Sequence, residues 1–169
     1  SAAATSAPVD ATTRAVNVKA IDAYWISAAE HGMNASTFTA RVVASTGADV
    51  AAALSAAVGA LSGPLHGGAP ARVLKMIDEV ERSGDAEAWV KQALDKGERL
   101  MGFGHRVYRA EDPRAAVLRR TSREIGSQRF EVAEALEQAA LAELKARKPD
   151  RVLATNVEFW SAVVLDHAE

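Results

Sequence analysis

Apolar residues recur along most of this chain with the 3.6-residue period of an amphipathic helix, and no stretch alternates convincingly with the two-residue period of a strand. We therefore predict an all-α fold with about eight helices. Their predicted spans are about 12–31, 36–45, 50–61, 69–82, 86–96, 113–125, 129–147 and 157–167.

Residues typical of helix ends punctuate this pattern. Asp49 and Asp85 stand where N-cap residues are expected, because their side chains can accept hydrogen bonds from free backbone amides. Gly32, Gly84 and Gly97 follow apolar runs and suit the left-handed conformation that often ends a helix. These residues support the predicted boundaries independently of the periodicity.

The pattern also predicts which helix faces are buried. In the first helix, Val18, Ile21, Trp25 and Ala28 share a face that we expect to turn inward. The segment 50–61 is apolar on nearly all sides and too short to cross a bilayer, so other helices must surround it. Since few helices are available, part of its cover could come from a second subunit.

Composition narrows the possible classes. The chain has 169 residues, 49% of them hydrophobic, which is enough for a real core. Its net charge of −2 gives no electrostatic reason to expect nucleic acid or a membrane surface as a partner. Cysteine is absent, which excludes disulfides, thiolate zinc ligands and a cysteine nucleophile, and is compatible with the cytoplasm. The terminal segments suggest a piece of a larger protein.

Three of the four histidines lie in glycine-flanked turns. They are His31 in E-H-G, His66 in G-P-L-H-G-G and His105 in G-F-G-H-R-V-Y. Glycine permits positive φ and close backbone approach, so a histidine beside it is usually presented to something rather than packed. Three such turns indicate a proton-transfer or anion-binding site.

Arg114 follows Asp112 and Pro113, an N-cap and a residue preorganised for the first helical position. A cation in a first turn opposes the helix dipole at a cost of about 0.3–1 kcal/mol, unless an anion is shared with the free amides. The guanidinium fork matches a carboxylate or a phosphate. The alternative is an exposed arginine paired with Asp112 or Glu111.

The loop that carries His105 also carries Arg106 and Arg109. Its G-F-G-H sequence fails as a dinucleotide fingerprint, because Val107 occupies the place of the third glycine and no strand precedes it. A ligand with a phosphate or carboxylate suits this loop better, and a solvated basic loop is the alternative.

Each remaining candidate has a structural interpretation, and two of them have a catalytic one as well. A neutral His66 near a helix start could donate a hydrogen bond to a developing oxyanion, or could simply bond a backbone carbonyl. His31 could cap the first helix as a cation. Glu158 could complement a helix dipole or act as a base. A zinc site built from His31, His66, His105 and Glu158 lacks the short paired spacing of a helix-borne metal motif, so we predict no metal.

Taken together, five motifs in this order and spacing strongly resemble the citrate synthase family. They are E-H-G-M-N-A-S-T-F at 30–38, G-P-L-H-G-G-A at 63–69, G-F-G-H-R-V-Y at 102–108, D-P-R-A at 112–115 and N-V-E-F-W at 156–160. The resemblance implies an all-α homodimer with a large and a small domain. Residues 1–64 would be later helices of the large domain, and 65–169 the small domain.

The resemblance also implies roles toward the acyl donor. His66 would hydrogen-bond the thioester oxygen of acetyl-CoA while Glu158 removes a methyl proton. Arg109 would meet a phosphate of coenzyme A, which is a co-substrate here, so no tightly bound cofactor is implied. The family's usual base is aspartate, whereas glutamate is one methylene longer, and chemistry that depends on placement can lose on the order of a hundredfold for a 1 Å error.

Toward oxaloacetate, the resemblance implies that His105 polarises the ketone while His31 and Arg114 hold the carboxylates and carbonyl. The expected reaction is citrate synthesis from acetyl-CoA and oxaloacetate. Two alternatives stay open at this point: 2-methylcitrate synthesis from propionyl-CoA, and a non-catalytic helical association fragment. We expect little turnover from a chain that lacks the other parts of the family's large domain.

Overall fold

A computed structural model describes residues 11–29, 32–63, 66–105 and 110–168. Within these ranges the chain forms eight α-helices and no β-strand, which confirms the predicted all-α fold, and each described helix end lies within about three residues of its predicted position. The helices are α1 (Ala11–Ala28), α2 (Ala35–Ser45), α3 (Val50–Leu61), α4 (Ala69–Ser83), α5 (Ala86–Asp95), α6 (Pro113–Glu124), α7 (Phe130–Arg147) and α8 (Val157–Ala168).

Helix α8 is the centre of the core. It packs against α1, α4 and α6, while α7 packs against α5 and α4. The side chains of Phe159, Trp160 and Val163 in α8 are completely buried. The rings of Phe159 and Trp160 meet edge to face with their centroids 5.5 Å apart, a favoured aromatic geometry. Everything carried by the first turn of α8 is therefore held by a densely packed helix.

A buried carboxylate links three helices around this core. Glu137 of α7 is 2% exposed, and it accepts a hydrogen bond of 2.9 Å from the indole nitrogen of Trp160 in α8. Its other oxygen lies 3.2 Å from the guanidinium of Arg119 in α6. A buried charge is tolerated only when it is paired and hydrogen-bonded, and Glu137 satisfies both conditions. It thereby fixes the spacing of α6, α7 and α8.

The buried face predicted for α1 is wrong. Val18, Ile21 and Trp25 are exposed, with 70% of Trp25 accessible, whereas Ala20 is fully buried and Tyr24 is half-buried. Both faces of α1 carry apolar residues, so periodicity could not decide between them. The small Ala20 lets α1 approach α8 and α6 closely, and that contact selects the other face.

Helices α2 and α3 pack mainly against each other, and no residue of either helix is buried. Their large apolar side chains remain accessible, including Phe38, Val50, Leu54, Val58 and Leu61. We call this the hairpin apolar face. The described residues of this chain thus do not provide the cover that was predicted for 50–61.

The two predicted domains, 1–64 and 65–169, are in contact, because α1 packs against α6 and α8. The predicted domain boundary falls at residues 64–65, outside the described residues, and stays a prediction. Among the described residues, no helix combines the length and the apolar character needed to cross a membrane.

Candidate active site

The start of α6 presents Arg114 as a buried cation. Asp112 caps the helix and accepts hydrogen bonds from the Arg114 amide at 3.0 Å and from its guanidinium at 2.9 and 2.7 Å. The Arg114 side chain is only 9% exposed. The alternative of an exposed arginine paired with Asp112 or Glu111 is right about the pairing with Asp112 and wrong about the exposure, and Glu111 instead pairs with Arg119.

Asp112 is held as a carboxylate by this arrangement. Although its burial alone would raise the pKa of Asp112, the hydrogen bonds and positive charge of Arg114 outweigh burial and lower that pKa. The Val157 amide at the start of α8 donates to the same carboxyl group at 3.1 Å. The pair therefore remains ionised, and it touches α8 as well as α6.

The turn that carries His105 lies directly against the segment before α8. The Asn156 amide donates to the Gly102 carbonyl at 2.9 Å, and the Gly104 amide donates to the Ala154 carbonyl at 2.7 Å. The Asn156 side chain adds a bond of 2.7 Å to the Gly104 carbonyl. Gly102 and Gly104 both have positive φ, which favours glycine. These contacts place His105 beside the start of α8.

His105 meets Arg114 there. Its Nε2 atom is 3.4 Å from the guanidinium Nη2. A guanidinium only donates hydrogen bonds, so this contact engages the lone pair of Nε2 and leaves the ring proton on Nδ1. A neutral His105 can thus offer an Nδ1–H donor.

His66 has a similar arrangement at the turn before α4. The Ser36 amide in the first turn of α2 donates to His66 Nε2 at 3.3 Å, and the Ser36 hydroxyl lies 3.0 Å from the same nitrogen. Both contacts engage Nε2 and hold the ring against the first turn of α2. The alternative, in which His66 serves only a backbone carbonyl, is not the arrangement seen at Nε2.

Glu158 lies in the first turn of α8, where its amide donates to the Asn156 side chain at 3.0 Å. Burial raises the pKa of Glu158, and the negative charge of Asp112 adds to the increase. The positive charge of Arg114 opposes it, as would an imidazolium at position 66. Tyr24 of α1 is close enough that the Glu158 charge, after burial, contributes to a raised pKa of its phenol.

One cavity of about 170 Å³ is shared by these groups. Its polar wall includes His66, Arg114 and Glu158, and His105 adjoins it through Arg114. The volume is below the roughly 300–1,000 Å³ of pockets that enclose drug-sized ligands, so it suits a small acid or the tip of a larger molecule. The other lining residues are Tyr24, Ala28, Asn34, Leu61, Gly67, Pro70, Val157 and Ser161.

The structure thus brings His66, His105, Arg114 and Glu158 together, while their individual roles remain predictions. His31 and Arg109 lie outside the described residues, so their predicted roles are untested. Sequence reasoning missed Ser36 and Tyr24 as members of the site. Ser36 stood inside a quoted motif and could have been suspected, whereas nothing in the pattern around Tyr24 points to a site.

Comparison with known proteins agrees with the resemblance of the five motifs. The family profile described as "Citrate synthase, C-terminal domain" matches residues 5–169. A Mycobacterium tuberculosis protein named "Putative citrate synthase 2" is 74% identical over 152 residues, which cover 90% of this chain and 41% of that protein. The chain therefore spans about two fifths of the length of this curated relative.

Solved structures agree with the sequence comparison. The citrate synthase of Pyrobaculum aerophilum matches 90% of this chain and 39% of its own with a TM-score of 0.78 and 38% identity. The Thermoplasma acidophilum citrate synthase was solved as a ternary complex with carboxymethyl coenzyme A and oxaloacetate. It matches 96% of this chain and 46% of its own, with a TM-score of 0.76 and 29% identity.

Gly102 should be intolerant of any side chain. An added Cβ would lie 2.7 Å from the Cβ of Phe159, and φ is +85°. We expect Gly102→Ala to lower the free energy of unfolding by about 2–5 kcal/mol through strain and overlap. Gly126→Ala is the matched control, since its φ of +70° imposes similar strain with nothing within 4 Å of the new methyl, so it should cost only about 1–2 kcal/mol. Urea denaturation of both variants measures the difference, and equal losses would contradict the close approach.

The raised pKa of Glu158 predicts a pH trend in stability. A carboxyl group whose pKa is higher in the folded state contributes stability at low pH, and this contribution is lost as pH rises above the unfolded value of about 4.3. Glu158→Gln should therefore gain stability relative to wild type as pH increases through that range. Urea midpoints over a pH series test this, with Glu87→Gln on the exposed side of α5 as the control substitution. A wild-type curve parallel to that of Glu158→Gln would refute the burial of an ionisable Glu158.

Proposed function

Because this chain belongs to the citrate synthase family, we propose that its full-length gene product condenses acetyl-CoA with oxaloacetate to give citrate and free coenzyme A. The observation that carries the proposal is that one imidazole, a buried guanidinium and a half-buried carboxylate line one small cavity, with a second imidazole against the guanidinium. The Thermoplasma relative, which holds oxaloacetate and a coenzyme A derivative together, supports the same pair of substrates.

Glu158 is the base of the first step in this proposal. Removing a proton from the methyl group of a thioester is difficult, so the base needs high proton affinity and exact placement. Burial raises the pKa of Glu158, which increases its affinity for that proton. Its position in the first turn of a fully packed helix limits its movement.

His66 completes that step as the donor to the thioester oxygen. As the methyl proton goes to Glu158, the C–H electron pair forms the enolate double bond and negative charge gathers on the oxygen. In this proposal His66, held at Nε2 by Ser36, carries its ring proton on Nδ1 and donates a hydrogen bond to this oxygen. No cofactor is needed, because the proton and the charge have both been accommodated.

Arg114 and His105 act on oxaloacetate. The guanidinium binds a carboxylate, and the Nδ1–H of His105 donates to the ketone oxygen. The enolate carbon attacks the ketone carbon, a C–C bond forms as the ketone π pair moves onto oxygen, and the resulting alkoxide takes the His105 proton. Water then hydrolyses the thioester of the citryl-CoA product to citrate and the free thiol. His31 and Arg109 keep their predicted roles in binding oxaloacetate and a coenzyme A phosphate.

We also propose that the gene product is a homodimer whose subunits cover the hairpin apolar face. Phe38, Leu54 and Val58 are each more than half exposed, and such a contiguous apolar surface usually marks an interface. The isolated segment of 169 residues is accordingly expected to turn over slowly or not at all.

A second candidate is the use of propionyl-CoA, which would give 2-methylcitrate. The cavity wall near Glu158 includes Ala28, Leu61 and Pro70, so an additional methyl group would find apolar neighbours. A hydrophobic pocket gains only about 1–3 kcal/mol per methylene, so a single side chain could decide the preference.

The proposed reaction predicts that the gene product releases coenzyme A from acetyl-CoA only when oxaloacetate is present. Thiol release, followed with a chromogenic disulfide reagent, measures this directly, and propionyl-CoA in a parallel series ranks the two acyl donors by kcat/KM. Thiol release that is indifferent to oxaloacetate would defeat the proposal.

Replacing the base should separate chemistry from binding. We expect Glu158→Gln to lower kcat by at least about a hundredfold, the usual scale for a general base, while the Kd of oxaloacetate changes little. Steady-state kinetics and calorimetric titration with oxaloacetate give the two quantities. Glu87→Gln supplies the control for a glutamate on an exposed helix face. Equal losses in turnover and oxaloacetate affinity would remove Glu158 from the role of base.

A further inference from the structure

The carboxylate of Asp112 serves two helices at once. It is 1% exposed, and donors surround both of its oxygens. Oδ1 accepts from the amide and the Nε of Arg114 at 3.0 and 2.9 Å. Oδ2 accepts from the Nη2 of Arg114 at 2.7 Å and from the amide of Val157 at 3.1 Å. The three donors from Arg114 belong to α6, and the Val157 amide belongs to α8.

An ordinary N-cap does not need this arrangement. Asp49 and Asp85 cap α3 and α5 by accepting one amide each from their own helix, at 2.8 and 2.9 Å, and both are exposed. Asp112 performs the same capping with Oδ1, so its contact with α8 is additional to the cap. The Asp112 amide also donates to the Thr155 carbonyl at 3.3 Å, which adds a backbone contact to the same segment.

The two helices that meet at Asp112 carry different functional groups. Arg114 lies two residues beyond Asp112 in α6, and Glu158 lies one residue beyond Val157 in α8. In addition, both helices point their positive dipole ends at the carboxylate, which favours its negative charge. A displacement of Asp112 would therefore move the substrate-binding guanidinium and the proposed base relative to each other.

We propose that Asp112 is a positioning residue that fixes Arg114 and Glu158 relative to each other, so that the group binding the keto acid and the base acting on the thioester share one geometry. This inference rests on the proposed function. Asp112 touches neither reacting centre in this account and acts through its two neighbours.

The first test compares Asp112→Asn with Asp85→Asn in the full-length gene product. An amide has one acceptor oxygen, so Asp112→Asn turns an NH₂ group toward donors that faced a carboxylate. We expect kcat to fall and the KM of oxaloacetate to rise, with kcat/KM reduced about a hundredfold or more. Asp85→Asn removes the charge of an ordinary cap and should leave both constants within about twofold of wild type.

The pH profile supplies a readout that loss of packing alone would not move. The charged or titratable groups around Glu158 are Arg114 from α6, Asp112 before it, His66 before α4 and Tyr24 from α1. Removing the negative charge of Asp112 leaves Arg114 less neutralised beside Glu158. The acid limb of kcat/KM should therefore move to lower pH in Asp112→Asn, and should stay in place in Asp85→Asn.

A second pair of variants isolates the contact with α8. Val157 is the first residue of α8, a position that tolerates proline, so Val157→Pro removes the N–H donor while Asp112 and Arg114 stay paired. Val157→Ala keeps the donor and serves as the control for the altered side chain. We expect Val157→Pro to lower kcat about tenfold more than Val157→Ala, with similar KM values for oxaloacetate and an unmoved acid limb.

The outcomes separate this inference from the proposed function. Wild-type protein that releases no coenzyme A would overturn the proposed function and the inference with it. Wild-type turnover with Asp112→Asn matching Asp85→Asn would overturn the inference alone. If Asp112→Asn does not fold, the Val157 pair decides, and identical kcat values for Val157→Pro and Val157→Ala would reject the link.

Discussion

The site depends on one close backbone approach, between the turn at 102–104 and the strand-like segment at 154–156. Phe103 and Thr155 form an antiparallel bridge, made by two main-chain hydrogen bonds, from Gly104 to Ala154 and from Asn156 to Gly102. The contact is possible only because Gly102 has no side chain where Phe159 stands. This contact places the turn that carries His105 beside the start of α8. Loop residues gain precision in this way from a rigid helix.

Around this contact, the burial of charge is graded. Glu137 is enclosed deep between helices and fully paired, so its role is to hold the frame. Asp112 and Arg114 are equally paired, but Arg114 lines the cavity, where its guanidinium can meet a ligand. Glu158 is the least compensated of these groups, and its raised pKa follows from that. A fully paired charge is less available for chemistry than a partly paired one. The pairing decreases from Glu137, which holds three helices together, to Glu158, the proposed base.

Much of this architecture could be predicted from local sequence. Helix spans and the caps at Asp49, Asp85 and Asp112 follow from periodicity and side-chain chemistry within a few residues, and the structure confirms them. The buried face of α1 could not be predicted, because it is chosen by a partner helix more than a hundred residues away. The same holds for Tyr24 at the cavity, whose neighbour Glu158 lies in α8.

The site was predictable to the extent that motifs repeat a known family. The four groups at or beside the cavity were named from the sequence, yet the contacts of His66 with Ser36 and of His105 with Arg114 are seen only in the structure. Those contacts join residues separated by 30 and 9 positions, and no local rule gives their distances. Long-range geometry is what a motif leaves unstated.

The hairpin apolar face has an evolutionary consequence. Side chains such as Leu54 and Val58 contribute little burial within the described chain, so a substitution there hardly changes the energy of folding this segment. Selection can act on these positions only through whatever surface lies against them. Variation among relatives at α2 and α3 should therefore record the history of that neighbour, whereas variation in α8 records the history of the chain itself.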